Sequence, residues 1–283
     1  MLKQLIVNAD DFGYTPGVTS GILAAHVKGI VTSTSVMVNM PHAAQSIQRA
    51  KNEAPQLGLG LHLTLTAGRP LLDPVQIPTL VGTSGTFKTR AELVPNLHSV
   101  DVGEVEAELR AQIAAFSRMA GHPPDHLDSH HHITYLTPPL LALTMKIAGE
   151  LGVPIRRPVP GDVEKSASML TDLGIAVNAD MAWELSNTLV KMTETAQVRM
   201  PDRLIVDFYG QHVILGDLLN LLMELDEGVA EIMCHPAEVD PLLEEQSSYS
   251  AQRAKELETL IHPSAREVCN AQFIQLINFS DLR

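Results

Sequence analysis

The sequence predicts an α/β fold, a single domain built as an irregular barrel of mainly parallel strands. Three observations predict it: eight short apolar runs suited to buried strands, helical segments alternating with them, and polar clusters standing where those runs end. A chain of 283 residues, 45% of them hydrophobic, is long enough for one such barrel over residues 1–283.

The first strand is Leu5-Ile6-Val7, which runs into Asp10-Asp11, with Gly13 to turn the chain. Thr15 suits an N-cap, Pro16 the first helical position and Gly29 the stop, so a helix is expected over 16–28. A strand at 34–38 precedes a helix near 43–51, and a third strand at 57–65 delivers His62. Residues 69–100 are rich in Pro, Gly and Thr without helical period, and read as a long lid or substrate loop over one end of the fold. Over 102–120, Val105, Leu109, Ile113 and Phe116 share one face of an amphipathic helix. The fourth strand end is 126–132, with a helix over 139–151 behind it. Strands at 153–157, 204–208, 231–235 and 273–277 complete the eight, and 161–200 reads as helices and loop.

A formal net charge of −13 argues against nucleic acid and against an anionic membrane surface, since both need clustered Lys and Arg. No run approaches the roughly 20 apolar residues of a membrane span. The N-terminal apolar run is too short for a secretory signal, and Cys234 and Cys269 read as reduced thiols, so the expected location is cytoplasmic.

In a barrel the chemistry sits at the C-terminal ends of the strands. Asp10-Asp11, His62, Asp128 with His130, Arg156-Arg157, Asp207 and His235 all fall there. If 126–132 stays extended, His126, Asp128, His130 and His132 share one face, and imidazoles beside a carboxylate favour a metal. Asp10-Asp11 could be a turn pair, yet adjacent carboxylates after a buried strand are costly unless a cation or an arginine offsets them. Taken alone, His62, flanked by leucines, reads first as a core histidine satisfied by a carbonyl, His235 carries the same ambiguity, and Cys234 reads as core. Tyr209 and Gln211 could contact a polar ligand or mark a turn. Arg156-Arg157 could hold a carboxylate, of the enzyme or of a substrate, or stand solvated.

Together, Asn8-Ala-Asp-Asp-Phe-Gly13, His62 within Gly-Leu-His-Leu, His126-Leu-Asp-Ser-His-His-His132, Phe208-Tyr-Gly210 and Met233-Cys-His-Pro236 resemble the YdjC-like carbohydrate deacetylases. The chitooligosaccharide deacetylases are the nearest resemblance, with the hopanoid-biosynthesis deacetylases as relatives. The resemblance implies an irregular TIM-like (β/α) barrel that hydrolyses the acetamide of an N-acetylated sugar, of the N-acetylglucosamine type, releasing acetate. It implies one divalent metal on Asp11, His62 and His130, magnesium by family habit, with Asp10 as general base and His235 as general acid. Two imidazoles and one carboxylate suit zinc or another transition metal as well. His126, Asp128, Arg157, Tyr209 and Gln211 are candidate substrate contacts. The resemblance also suggests a homodimer. It departs at Ile133, where the family often continues as His-His-Val-His, and the single tryptophan, Trp183, suits a short sugar. Two rival readings are a metal-dependent phosphoesterase on a barrel and a non-catalytic sugar- or metal-binding relative.

Overall fold

The computed structural model describes residues 2–160, 163–175 and 178–282, which fall into two compact units, Met1–Gly60 with Pro201–Arg283, and Leu61–Met200. In chain order the elements begin with β1 (Lys3–Phe12), α1 (Pro16–Lys28), β2 (Ser33–Val36), α2 (Ala43–Glu53) and β3 (Gly58–Leu63). Then come α3 (Arg90–Leu93), α4 (Val102–Ala120), β4 (Leu127–Ser129), α5 (Pro138–Leu151), α6 (Val163–Asp172) and α7 (Ala179–Glu194). The chain ends with β5 (Arg203–Ile205), α8 (Leu215–Met223), β6 (Gly228–Cys234), α9 (Pro241–Gln246), α10 (Ala251–Leu260), α11 (Pro263–Ala271) and β7 (Ile274–Leu276). No helix among the described residues is long and apolar enough to cross a membrane.

In the first unit β1 is the hub of a parallel ladder. It pairs with β2 on one side and with β6 along Lys3–Ala9, β6 in turn pairs with β5, and β7 adds to Lys3–Leu5. Leu5, Ile6, Val7 and Ala9 have no exposed surface. That is why β1 reads as a continuous apolar run and not as an alternating one, the mark of a strand covered on both faces. The register sets Ala9 opposite Cys234, so Asp10 and His235 follow at the same level of neighbouring strands. Helix α1 begins as expected, with the Thr15 hydroxyl accepting from the Val18 amide. It packs tightly on the loop after His235: a Cβ on Gly21 would stand 2.4 Å from the Ala237 Cα. Cys234 and Cys269 are both buried and free, in line with reduced thiols.

The second unit begins inside β3, whose last residues pair with β4 as Leu61 with Leu127, His62 with Asp128, and Leu63 with Ser129. Helix α4 runs over the expected residues, capped by Asp101 and ended by Gly121 at φ 78°. Val105, Leu109 and Phe116 are buried on it, and so are the polar Glu108 and Gln112. Those two explain the 69–100 segment. The Glu108 carboxylate accepts from the Leu71 and Leu72 amides, each at 3.0 Å, and from the Gln112 amide nitrogen. Glu104 accepts from the Thr79 amide at 2.8 Å. The segment lacks helical period because part of its backbone is satisfied by side chains of α4; it contains α3, 3₁₀ helices at Pro74–Gln76 and Val94–Ser99, and a bridge between Val81 and Phe87.

Two strand expectations need correction. Seven strands form among the described residues, and 153–157 contributes only an isolated bridge between Leu127 and Ile155. Pro154 and Pro158 bracket it, and a residue without an N–H cannot extend a ladder. The strand expected at 126–132 stops at Ser129; His131 and His132 take φ of 53° and 57° and coil into a turn. His126, Asp128, His130 and His132 therefore do not share one extended face. The stretch 161–200 does hold two helices, α6 and α7, with 161–162 and 176–177 outside the described residues.

Replacing Glu108 with alanine would strand two backbone amides and one side-chain amide. The expected loss is about 2–4 kcal/mol of unfolding free energy, read from the urea midpoint, together with new tryptic cuts between 69 and 90. An unchanged midpoint and cleavage pattern would remove Glu108 as the anchor of that segment.

Candidate metal centre

The geometry of the first unit starts from a fault in the β1–β2 ladder. The register shifts between Ala9 and Phe12, and Asp11 takes φ 70°. A residue with a Cβ holds this left-handed conformation only where its surroundings fix it. A bulge re-aims side chains that would otherwise alternate across the sheet. Asp10 and Asp11, both 2% exposed, accordingly find different partners. Asp10 Oδ1 accepts from the Asn8 side-chain Nδ2 at 2.9 Å, and its Oδ2 lies 4.0 Å from His235 Nε2. Asp11 Oδ2 accepts from Arg253 Nη2 at 2.5 Å. The arginine demanded by two neighbouring carboxylates is thus 242 residues away in the chain.

His235 is gripped from the other side by Glu256, whose carboxylate accepts from the His235 backbone amide and from the Tyr249 hydroxyl, the latter at 2.7 Å. Burial pushes the Glu256 carboxyl up to about 7 from an ordinary 4.5, with the nearby Asp10 charge adding to the rise and Arg253 opposing it.

In the second unit, pairing of β3 with β4 places His62 beside Asp128, and His62 Nδ1 lies 2.7 Å from Asp128 Oδ1. Asp128 also meets Arg156 Nη1 at 3.2 Å, both side chains having no exposed surface. Burial alone would raise this carboxyl, but the charges of His62 and Arg156 hold it well below the usual carboxylate range. An ionised Asp128 can only accept, so His62 must donate from Nδ1, which leaves Nε2 as the outward nitrogen. That Nε2 stands 3.2 Å from His130 Nδ1. His130 in turn lies against His131 with ring centroids 3.9 Å apart, and His131 Nδ1 meets the Thr66 hydroxyl at 3.0 Å. The two left-handed residues after His130 are what fold His131 back onto it.

The remaining candidates divide. His126, 2.6 Å from Asp125, and Asp128 are fully buried. Both are expected substrate contacts, yet neither has exposed surface. Arg157 is half-buried and Gln211 is exposed. Tyr209 is 46% exposed and stacks flat on Tyr249. Asp207 lines a cleft of about 220 Å³ with His212, Asp217, Asn220, Leu221 and Glu224. Arg253, Glu256 and Tyr249 carry no motif in the sequence. Their only trace is the spacing of 253 and 256, which sets two charged groups on one face of α10, with Tyr249 just ahead of the helix.

A family model described as YdjC-like protein matches residues 4–271. A carbohydrate deacetylase of Enterococcus faecalis is 34% identical over 99% of this chain and 98% of that protein. One from Brevibacillus brevis is 36% identical over 99% of both. A crystal structure of an Enterococcus faecalis V583 protein, provisionally described as a cellobiose-phosphate cleavage protein, matches with a TM-score of 0.81. It is 33% identical and covers 99% of this chain and 98% of that one.

Because the Glu256 carboxyl is raised on folding, it favours the folded state below about pH 4.5 and loses that contribution as pH rises through about 7. Compared with Glu256→Gln, the natural chain should lose stability between these limits, on the order of a few kcal/mol. Denaturant midpoints of both proteins at pH 5 and pH 8 measure it; parallel pH dependence would contradict the raised value.

Proposed function

Because the chain belongs to the YdjC-like family, we propose that it hydrolyses the acetamide of a small N-acetylated sugar, of the N-acetylglucosamine type, and releases acetate. The observation that carries the catalytic half of this reading is the 3.2 Å approach of His62 Nε2 to His130 Nδ1, with His62 Nδ1 already committed to Asp128. Two ring nitrogens bound to one cation at about 2.0–2.1 Å each would stand about 3 Å apart. A carboxylate behind the ligating histidine is the usual support of such a site. The sugar amide is supported by what the relatives are named.

The ligand set in this proposal is Asp11, His62 and His130. A divalent cation held there supplies a Lewis acid, which polarises the acetamide carbonyl and makes a water easier to deprotonate. Donor type favours zinc or another transition metal as readily as magnesium. Asp10 takes the proton from the attacking water, its Oδ1 steadied by Asn8 so that Oδ2 is the working oxygen. His235, 4.0 Å from Asp10 Oδ2, gives a proton to the departing amine. Tyr209, Gln211 and Arg157 are the groups proposed to meet the sugar. A phosphoesterase would need basic groups for phosphate, whereas Arg156 and Arg253 are engaged by Asp128 and Asp11. Action in the cytoplasm as a homodimer belongs to the same proposal.

A panel of N-acetylated mono- and oligosaccharides, assayed for acetate with different divalent metals, tests the reaction; no acetate from any of them would sink it. Asp10→Asn should keep metal content and lose about 10²–10⁴-fold in turnover. Near-normal turnover would strip Asp10 of its role. His130→Ala should lower the bound metal measured by elemental analysis, and unchanged stoichiometry would take it off the ligand set.

A further inference from the structure

His235 is enclosed by groups from three parts of the first unit. Its Nε2 lies 4.0 Å from Asp10 Oδ2, and its Nδ1 lies 4.0 Å from Glu256 Oε1. Glu256 Oε2 accepts from the His235 main-chain amide, so one carboxylate holds the residue by backbone and faces its ring as well. Glu256 is itself held: the Tyr249 hydroxyl donates to Oε1 at 2.7 Å while accepting from the Gly210 amide at 3.0 Å. The Tyr249 ring stands edge-on to the imidazole, with centroids 6.0 Å apart, and Tyr209 does the same at 5.8 Å. The titratable or charged groups facing the ring are therefore Asp10 from β1, Tyr209 from the turn after β5, and Tyr249 and Glu256 from the α10 region. Arg253 lies beyond Tyr249, with its Cζ 5.9 Å from that ring.

We propose that Glu256 is the positioning residue of His235, and that Tyr249 locks it in that role. The proposal rests on the reading of His235 as proton donor. A histidine that gives a proton from Nε2 needs its Nδ1–H aimed at a fixed acceptor, which sets both tautomer and ring angle. Glu256 is the acceptor placed for this. At 4.0 Å the contact is longer than a formed hydrogen bond, and such contacts shorten when substrate closes the site. Glu256 is fixed at both oxygens, so it cannot turn away from the ring without giving up Tyr249 or the His235 amide.

The test uses the full chain and two conservative variants. Glu256→Gln keeps the size and an acceptor for the His235 amide; Tyr249→Phe keeps the ring and its stack on Tyr209 but removes the hydroxyl. Each should lower kcat about tenfold or more, with KM moved by less than about threefold. The double variant should fall short of the product of the single losses, because both act through one contact. Unaltered kcat in the variants, equal effects on kcat and KM, or fully multiplicative losses would overturn the proposal. Independently of turnover, the ring ¹⁵N resonances of His235, assigned by their loss in His235→Gln, should shift in the same sense in both variants. Unmoved resonances would overturn it. If Glu256→Gln fails to fold, Tyr249→Phe decides alone. If the natural chain releases no acetate, the deacetylase reading fails by itself, and the resonances still decide whether Glu256 positions the ring.

Discussion

Burying Asp10 and Asp11 side by side sets two like charges in surroundings that favour neither. The first unit is organised around relieving that conflict. A register shift and a left-handed Asp11 send the two carboxylates to different partners. Arg253 takes Asp11, and Asn8, itself touching the Ser35 hydroxyl, takes Asp10. Asp10 is thereby left facing His235, held on the neighbouring strand at the same level by the β1–β6 register.

The second unit solves a related conflict with the same parts. Asp128 is sealed in the interior and stays ionised because Arg156 and His62 face it. Its second task is to fix which nitrogen of His62 points outward. In the second unit an arginine neutralises a carboxylate that orients an imidazole, Arg156–Asp128–His62; in the first unit Arg253 meets Asp11, and the carboxylate proposed to orient an imidazole is Glu256, facing His235. Such buried ion pairs are poor sources of stability, since apolar residues of similar shape could replace them at little cost. Their presence here is better explained by the orientation they impose on groups proposed to do chemistry.

Much of this was legible in the sequence, for identifiable reasons. Helices α1 and α4 follow their expected spans because their ends carry explicit caps, Thr15 and Gly29, Asp101 and Gly121. Asp10, Asp11, His62, His130 and His235 stand out as a set, because each has a structural use alone but all fall where apolar strands end. What failed was local geometry beyond the strand ends. Nothing in His130-His131-His132 announces two consecutive left-handed residues, and an extended reading misplaced His132. Glu108, Arg253 and Glu256 were invisible for a different reason: each looks like an ordinary charged position on an amphipathic helix. Only the fold reveals that these faces point inward, toward backbone amides or a carboxylate far off in the chain.

The central place of β1 has a kinetic side. Its pairing partners include residues 228–234 and 274–276, and the arginine that meets Asp11 is residue 253. A chain leaving the ribosome therefore carries its central strand through the synthesis of about 200 further residues before those neighbours exist. Contacts of such long sequence separation slow folding and prolong exposure of the unpaired strand edge. Residues 61–200 have their β3–β4 pairing within reach much earlier. During synthesis the proposed acid and base can thus meet only after the residues of the histidine pair have emerged, and truncation near the C-terminus would cost the N-terminal strand its partners.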